Sequence, residues 1–487
     1  MSEPKKVGRR TFLNYAIAVV ATGVIVGAAT YFAVPKGEVT VTAPGTTVTK
    51  TVTTTVTGTP TTTLTPIPAK LAYICQTGPE MHLLGETMKW FMQEYPALGI
   101  EFTIDEVSRD VADLKKMAIL NERANEYQFI YLALTGEVQL WINRGVLQPL
   151  EDILPAELIK KFADNVPEQV MMEFQKDGKT YALPVYWNSL CLFYRTDLFN
   201  DPKEKDNFKA KYGYDLRPPR TNKELIDIAK FFTRPPDLYG FAVCGKPSYF
   251  WHEFVYTGLP CAGLWPYVDI EKETTVVNSP KAVEVMQSIA ELTKYSPPGW
   301  ETADWFTFGD PLFAEGKLAM YHNWYYPWPT FQNPEKSKVV GKVGVAPIPT
   351  IDENTPTMTM LSGGGLGVNK FATEQQKKAA AEYLKWMLSD EVQKRMALTG
   401  DLFIPARKDI LKLPEVSQKL KAEPFLELAE KTKLCKLTAE IRALQTQWQN
   451  FFAEALLKIV KGEMSAQEAC NWLAEQIITI IKQSKGK

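Results

Sequence analysis

From residue 70 onward the apolar residues fall into blocks whose spacing alternates. KLAYICQTG (70–78) is a short apolar run ending in a polar turn, which predicts a strand. HLLGETMKWFMQEYPAL follows at helical spacing, with Leu83, Leu84, Met88, Phe91 and Met92 on one face. GIEFTIDEV (99–107) predicts a second strand, VADLKKMAILNERA (111–124) a helix and YQFIYLAL (127–134) a third strand. Strand–helix–strand alternation implies parallel pairing and an α/β lobe. After about Asp215 helical spacing dominates, and Leu437 to Lys482 is amphipathic with one break at Gly462. In an open α/β sheet, ligands sit in loops beyond the carboxyl ends of the strands. Here those loops are Gln76–Glu80 and Leu134–Val138, both small, polar and glycine-containing.

Two earlier segments break this pattern. Lys5, Lys6, Arg9 and Arg10 precede an uncharged run from Ala16 to Val34, long enough to span a bilayer. The basic flank favours an orientation with the N-terminus inside and the rest of the chain outside. GRRTFLN is similar to a twin-arginine export signal, so a cleaved signal peptide is the rival reading. Tyr31 and Phe32 sit where a cleavage site would need small residues, which favours a retained anchor. Thr40 to Pro68 is rich in threonine and proline and lacks the apolar bulk to offset its ordering entropy. It reads as a stalk, O-glycosylated or bare, reaching roughly 90 Å if extended. The expected layout is an anchor at 1–35, a stalk at 36–69 and a folded part from 70.

Composition narrows the chemistry. A formal net charge of −1 gives no bulk electrostatic case for nucleic acid. Cys75, Cys191, Cys244, Cys261, Cys435 and Cys470 form no CxxC, and disulfides stay open, with Cys244 and Cys261 the closest pair. The only histidines are His82, His252 and His322, which leaves few options for histidine catalysis or metal binding. Neither G-x-S-x-G nor H-E-x-x-H occurs. No cofactor or metal is expected.

Further along, DGKTYALPVYWNSLCLFYRTDLF (177–199) resembles the extracellular solute-binding proteins of ABC importers, in particular their maltose/oligosaccharide-binding group. FAEGKLAMYHNWYYPWP (313–329), VGVAPIPT (343–350), LSGGGLGVNK (361–370), the helix pair ending in FIPAR at Arg407, and KGEMSAQEAC (461–470) recur in the family's order. The resemblance covers about Leu71 to Lys482. One departure is ERANEYQFIYLA before the third strand, whose following loop carries no Trp and no Asp–Arg pair.

The resemblance implies a periplasmic-binding-protein-like α/β fold of two lobes, with a hinge and a ligand cleft between them. Lobe one would hold 70–185 and 320–366, and lobe two 189–318 and 368–487. It also implies a sugar or oligosaccharide ligand, delivery to a membrane permease, and no chemistry on the solute. With the anchor and stalk, this reads as a binder held at the cell surface, of the kind archaea use.

Carbohydrate sites combine flat aromatic faces with planar polar groups that bond hydroxyls in pairs. On the first-lobe loops the candidates are Glu80, Thr135 and Glu137; at the crossings they are Tyr186, Trp187, Asn188 and Gly364. The resemblance adds Tyr249 and Trp324, which align with ligand aromatics of the family. Trp251, Trp300, Asp304, His322 and Asn323 complete the set. Each competes with an ordinary structural role, above all the tryptophans, including Trp305 and Trp448. Arg407 reads as structural. Other readings stay open. Tyr325–Tyr326 is similar to the tyrosine pair of ferric-ion binders; peptide, polyamine and polyol ligands fit the same fold; a surface sensor needs no importer; and an exported hydrolase needs only a suitable carboxylate pair.

Overall fold

The structure is a computed structural model. It describes residues 65–485 apart from 135, 400–403, 421 and 436, together with the short antiparallel pair Thr42–Ala43 and Thr46–Thr47. The expected membrane helix and nearly all of the stalk lie outside the described residues. Among the described residues no helix is long and apolar enough to cross a membrane. Contacts divide the chain at Thr63, and Leu64–Lys487 is one unit, described below.

That unit is built on an eight-stranded sheet. Its strands are β1 (Ala69–Gln76), β2 (Ile100–Val107), β3 (Phe129–Ala133), β4 (Ala182–Arg195), β5 (Met320–Trp324), β6 (Val343–Ala346), β7 (Met358–Val368) and β8 (Lys433–Cys435). The order is β5–β4–β7–β3–β1–β2, with β6 also on β4 and β8 also on β7. β1 pairs in parallel with both β2 and β3, as the strand–helix–strand pattern requires. The connections are α1 (Pro79–Glu94) and α2 (Arg109–Glu122), and α3 (Glu137–Asn143) leaves β3. Leu83, Leu84, Met88 and Phe91 are buried along one face of α1, the stripe seen in the sequence.

β4 and β7 carry the sheet from one end to the other. β7 runs antiparallel to β3 through Gly364–Val368 and to β4 through Leu361–Gly367. The far half of β4 pairs instead with β5 and β6. Twelve consecutive residues of β4, Ala182–Phe193, are buried, which explains its near-continuous apolar sequence. The glycine run lies where β7 shifts register, between Gly364 and Gly365. Gly363 has φ 147°, a conformation that excludes most side chains, and a Cβ at Gly364 would overlap the Tyr131 hydroxyl.

Two long helices close the chain, Ala439–Val460 and Ala466–Lys485, separated at Gly462 with φ 74°. The six cysteines are buried and no disulfide joins any two of them, so Cys244 and Cys261 are not linked.

Candidate functional site

The crossing strands bring polar side chains from both ends of the sheet to one place. Tyr131 on β3 and Tyr186 on β4 flank Gly364, and their hydroxyls are 2.7 Å apart with rings parallel to within 6°. The absent side chain at Gly364 makes room for this pair. Glu80, in the first turn of α1, is 8% exposed and accepts a hydrogen bond from its own main-chain N–H. Burial pushes its carboxyl up to about 7, and burial likewise raises the phenols of Tyr186 and Tyr326, with the charge of Glu80 a smaller contribution.

Tyr326 lies just past β5 and donates to Asp310 Oδ2 at 2.6 Å. Asn323 Nδ2 donates to Asp310 Oδ1 at 2.7 Å, and the Tyr321 hydroxyl joins them. Burial pushes Asp310 up to about 7, against the lowering effect of those hydrogen bonds. Asp304 lies close enough to raise it further. Tyr131 and Tyr186 thus form one hydrogen-bonded pair, near enough to Glu80 to feel its charge, and Tyr326, Asp310, Asn323 and Tyr321 form a second polar group beside β5. Beside it runs an aromatic series. Phe306, half-exposed, lies 5.5 Å from Tyr326; Tyr249 lies 6.5 Å from Phe306; and Trp305 lies 4.9 Å from Tyr249.

The sequence candidates divide among several places. Glu80, Tyr186 and Gly364 belong with the first of these groups and Asn323 with the second. Tyr249 and Asp304 flank it: Asp304 caps the turn at Thr307 and pairs with Lys246 at 3.7 Å. Trp324 is buried and meets Trp305, His252 and Tyr256, at ring distances of 6.5, 6.4 and 6.3 Å. Asn188 is spent on the backbone, its Oδ1 accepting from Ser189 and Tyr325 N–H, both at 3.0 Å. Trp187 is buried against Phe425. Glu137 is paired internally: Lys116 Nζ donates to Oε1 and Ala133 N–H to Oε2, both at 2.7 Å. Trp251 is fully buried against Tyr256, and Trp300 is buried over Gly245. His322 pairs with Glu253 at 2.8 Å and has Phe241 at its edge, away from both groups. Thr135 lies outside the described residues. Trp448 is fully buried, and Arg407 is buried and pairs with Asp390 and Asp409. Tyr325 packs on Phe193, Trp328 and Phe425, in a different neighbourhood from Tyr326.

Sequence reasoning missed Tyr131, Phe306, Asp310 and the role of Tyr326. Tyr131 sits inside a strand that reads as core, and Asp310 looks like a helix-initial Asp-Pro.

A family model described as bacterial extracellular solute-binding protein matches residues 90–424. A probable ABC transporter-binding protein of Deinococcus radiodurans is 31% identical over 265 residues, 51% of this chain and 56% of that protein. The chain spans about half the length of the curated relatives it matches. Among solved structures, an ABC transporter solute-binding protein of Agrobacterium radiobacter in complex with ribitol superposes with a TM-score of 0.69 at 21% identity, over 86% of this chain and 100% of that one. A maltose-bound protein of T. maritima gives 0.65 at 23% identity, over 85% and 99%. The likeness shows the fold, two α/β lobes joined by crossing strands.

Proposed function

This chain belongs to the bacterial extracellular solute-binding protein family, and on that premise we propose that it captures a sugar or polyol between its two lobes and hands it to an ABC permease. The solute leaves chemically unchanged. The observation that carries this reading is the pair of buried polar groups along the crossing strands, the Tyr131–Tyr186 hydroxyls where β3, β7 and β4 meet and Tyr326, Asp310 and Asn323 beside β5. Hydrogen-bonding groups of that kind beside a half-exposed Phe306 match what a polyhydroxy solute needs. The ribitol and maltose complexes of the two structural neighbours support the same class of solute.

The hinge lies where β4 and β7 leave one pairing for the next, near Asn188 and Ser362. Met320–Trp324 pairs with Leu190–Tyr194, so we assign it to the second lobe beside 189–318 instead of to the first. Closure brings Glu80 and Asp310 together around the solute. Residues 1–35 anchor the protein at the outer cell surface and the threonine-rich segment is its stalk, which keeps the binder at high effective concentration near its permease.

The test is a thermal-shift panel of mono- and oligosaccharides, polyols, amino acids and Fe³⁺ against the purified protein. A ligand of the native state stabilises by about 2.7 kcal/mol at 100 times its Kd. A sugar or polyol is expected to raise Tm. A rise with amino acids or Fe³⁺ alone would overturn the solute class.

A further inference from the structure

β3 loses one neighbour before it ends. The register of β1 on β3 covers Phe129 and Ile130, while that of β7 runs on to Ala133. The peptide groups that β3 gives to β7 are those of even-numbered residues: Gln128 O accepts from Asn369 N–H at 2.9 Å, and Leu134 N–H donates to Gly363 O at 3.0 Å. Successive residues of a strand turn their peptide groups to opposite sides, so Tyr131 C=O and Ala133 N–H face the side that β1 has left. Two side chains meet them there. Lys116 Nζ donates to Tyr131 O at 3.4 Å, and Glu137 Oε2 accepts from Ala133 N–H at 2.7 Å. Lys116 Nζ and Glu137 Oε1 are themselves 2.7 Å apart. Asp113 lies 3.7 Å from the same ammonium, which also sits 5.9 Å from the centre of the Tyr131 ring. Lys116 is 2% exposed and Glu137 7%.

A buried ion pair is a poor source of stability, since desolvation offsets most of its attraction and an apolar pair of similar size does as well. An apolar pair could not bond two peptide groups, however, and buried peptide groups need partners. Lys116 and Glu137 thus serve β3 in place of a neighbouring strand. What they steady is Tyr131, whose hydroxyl lies 2.7 Å from that of Tyr186 on the crossing strand. Resting on the reading that Tyr186 meets the solute at the crossing, we propose that Lys116 and Glu137 are positioning residues for solute binding. They fix the end of β3 so that Tyr131 holds the Tyr186 hydroxyl in place, and neither touches the solute.

The experiment compares the purified protein with the double variant Lys116→Met, Glu137→Leu, by crystal structure and by calorimetric titration with ribitol and maltose. In the variant the Tyr131 and Tyr186 oxygens should part beyond hydrogen-bond reach, about 3.5 Å. Whichever probe the unaltered protein binds should bind about tenfold more weakly, the effect of one misplaced hydrogen bond. Tyr131→Phe should weaken binding to the same extent, and the triple variant no further, because all three residues act through one hydroxyl. If the Met–Leu pair does not fold, Lys116→Gln with Glu137→Gln is read in the same way. Hydroxyls still bonded in the folded variant would overturn the inference and leave the sugar or polyol reading standing. So would unchanged affinity, or losses that add in the triple variant. If neither probe, nor any other sugar or polyol, binds the unaltered protein, the solute reading falls and the inference with it.

Discussion

Two loops leave adjacent parallel strands of the same sheet, β1 and β3, and each places a glutamate in the first turn of the next helix. Glu80 and Glu137 are almost equally buried, at 8% and 7% exposure. Their situations nonetheless differ. Lys116 reaches from α2 to Glu137, and the end of β3 donates Ala133 N–H to the same carboxylate. Among the described residues no cation pairs with Glu80, whose charge is felt by the phenols of Tyr186 and Tyr326. One acid locks its loop to the neighbouring helix, and the other is the one our reading gives to the solute. A carboxylate's role is thus set by what a third element brings to it, and the loop's own sequence carries no sign of that.

The largest effect should come from breaking the locked loop. Glu137→Gln removes the nearer carboxylate partner of buried Lys116, leaving only the half-exposed Asp113 at 3.7 Å, and is expected to cost about 3 kcal/mol in urea unfolding. Replacing both partners with apolar residues should cost clearly less than that single change. Glu80→Gln should act in the opposite sense. Glu80's carboxyl titrates at about 7 in the folded protein against an ordinary value of 4.5. Between those values the folded state binds more protons than the unfolded state, so stability falls as pH rises through that window. The substitution should therefore stabilise by roughly 1–3 kcal/mol at about pH 8 and have little effect at about pH 4. A thermal scan at both pH values reads the difference, and destabilisation at high pH would mean that Glu80 has a cationic partner after all. Gly364→Ala, which forces a methyl against the Tyr131 hydroxyl, should cost about 1–2 kcal/mol and separate the Tyr131–Tyr186 pair between the two loops. The smallest stability change, under about 0.5 kcal/mol, is expected for Phe306→Ala, because the ring is 53% exposed. The same variant should lose solute affinity measurably, which separates a binding role from a packing one.

Much of the fold was legible. Periodicity alone gave β1, α1, β2, α2 and β3 and their parallel pairing, because each block repeats at 2 or at 3.6 residues long enough to show a face. The crossing strands were legible through the resemblance, since β4 is covered on both sides and shows no alternation. The candidate polar groups were half legible. Glu80 and Tyr186 follow from strand ends and the crossing. Asp310 and Phe306 do not, because their meeting with Tyr326 depends on how Trp305–Ala314 folds back beside β5. Trp251 and Trp448 show the converse, since an indole in an aromatic-rich stretch looks the same in sequence whether it lines a cleft or fills a core.

The most direct test of a solute site in this cleft is a crystal structure of the protein grown with the best ligand from the thermal-shift panel. The solute should lie within hydrogen-bond reach of Glu80 from one side and Asp310 from the other, against Tyr186 and Phe306. A solute found instead in the outer groove lined by Phe91, Tyr95, Trp386 and Arg395, with Glu80 and Asp310 untouched, would contradict that placement.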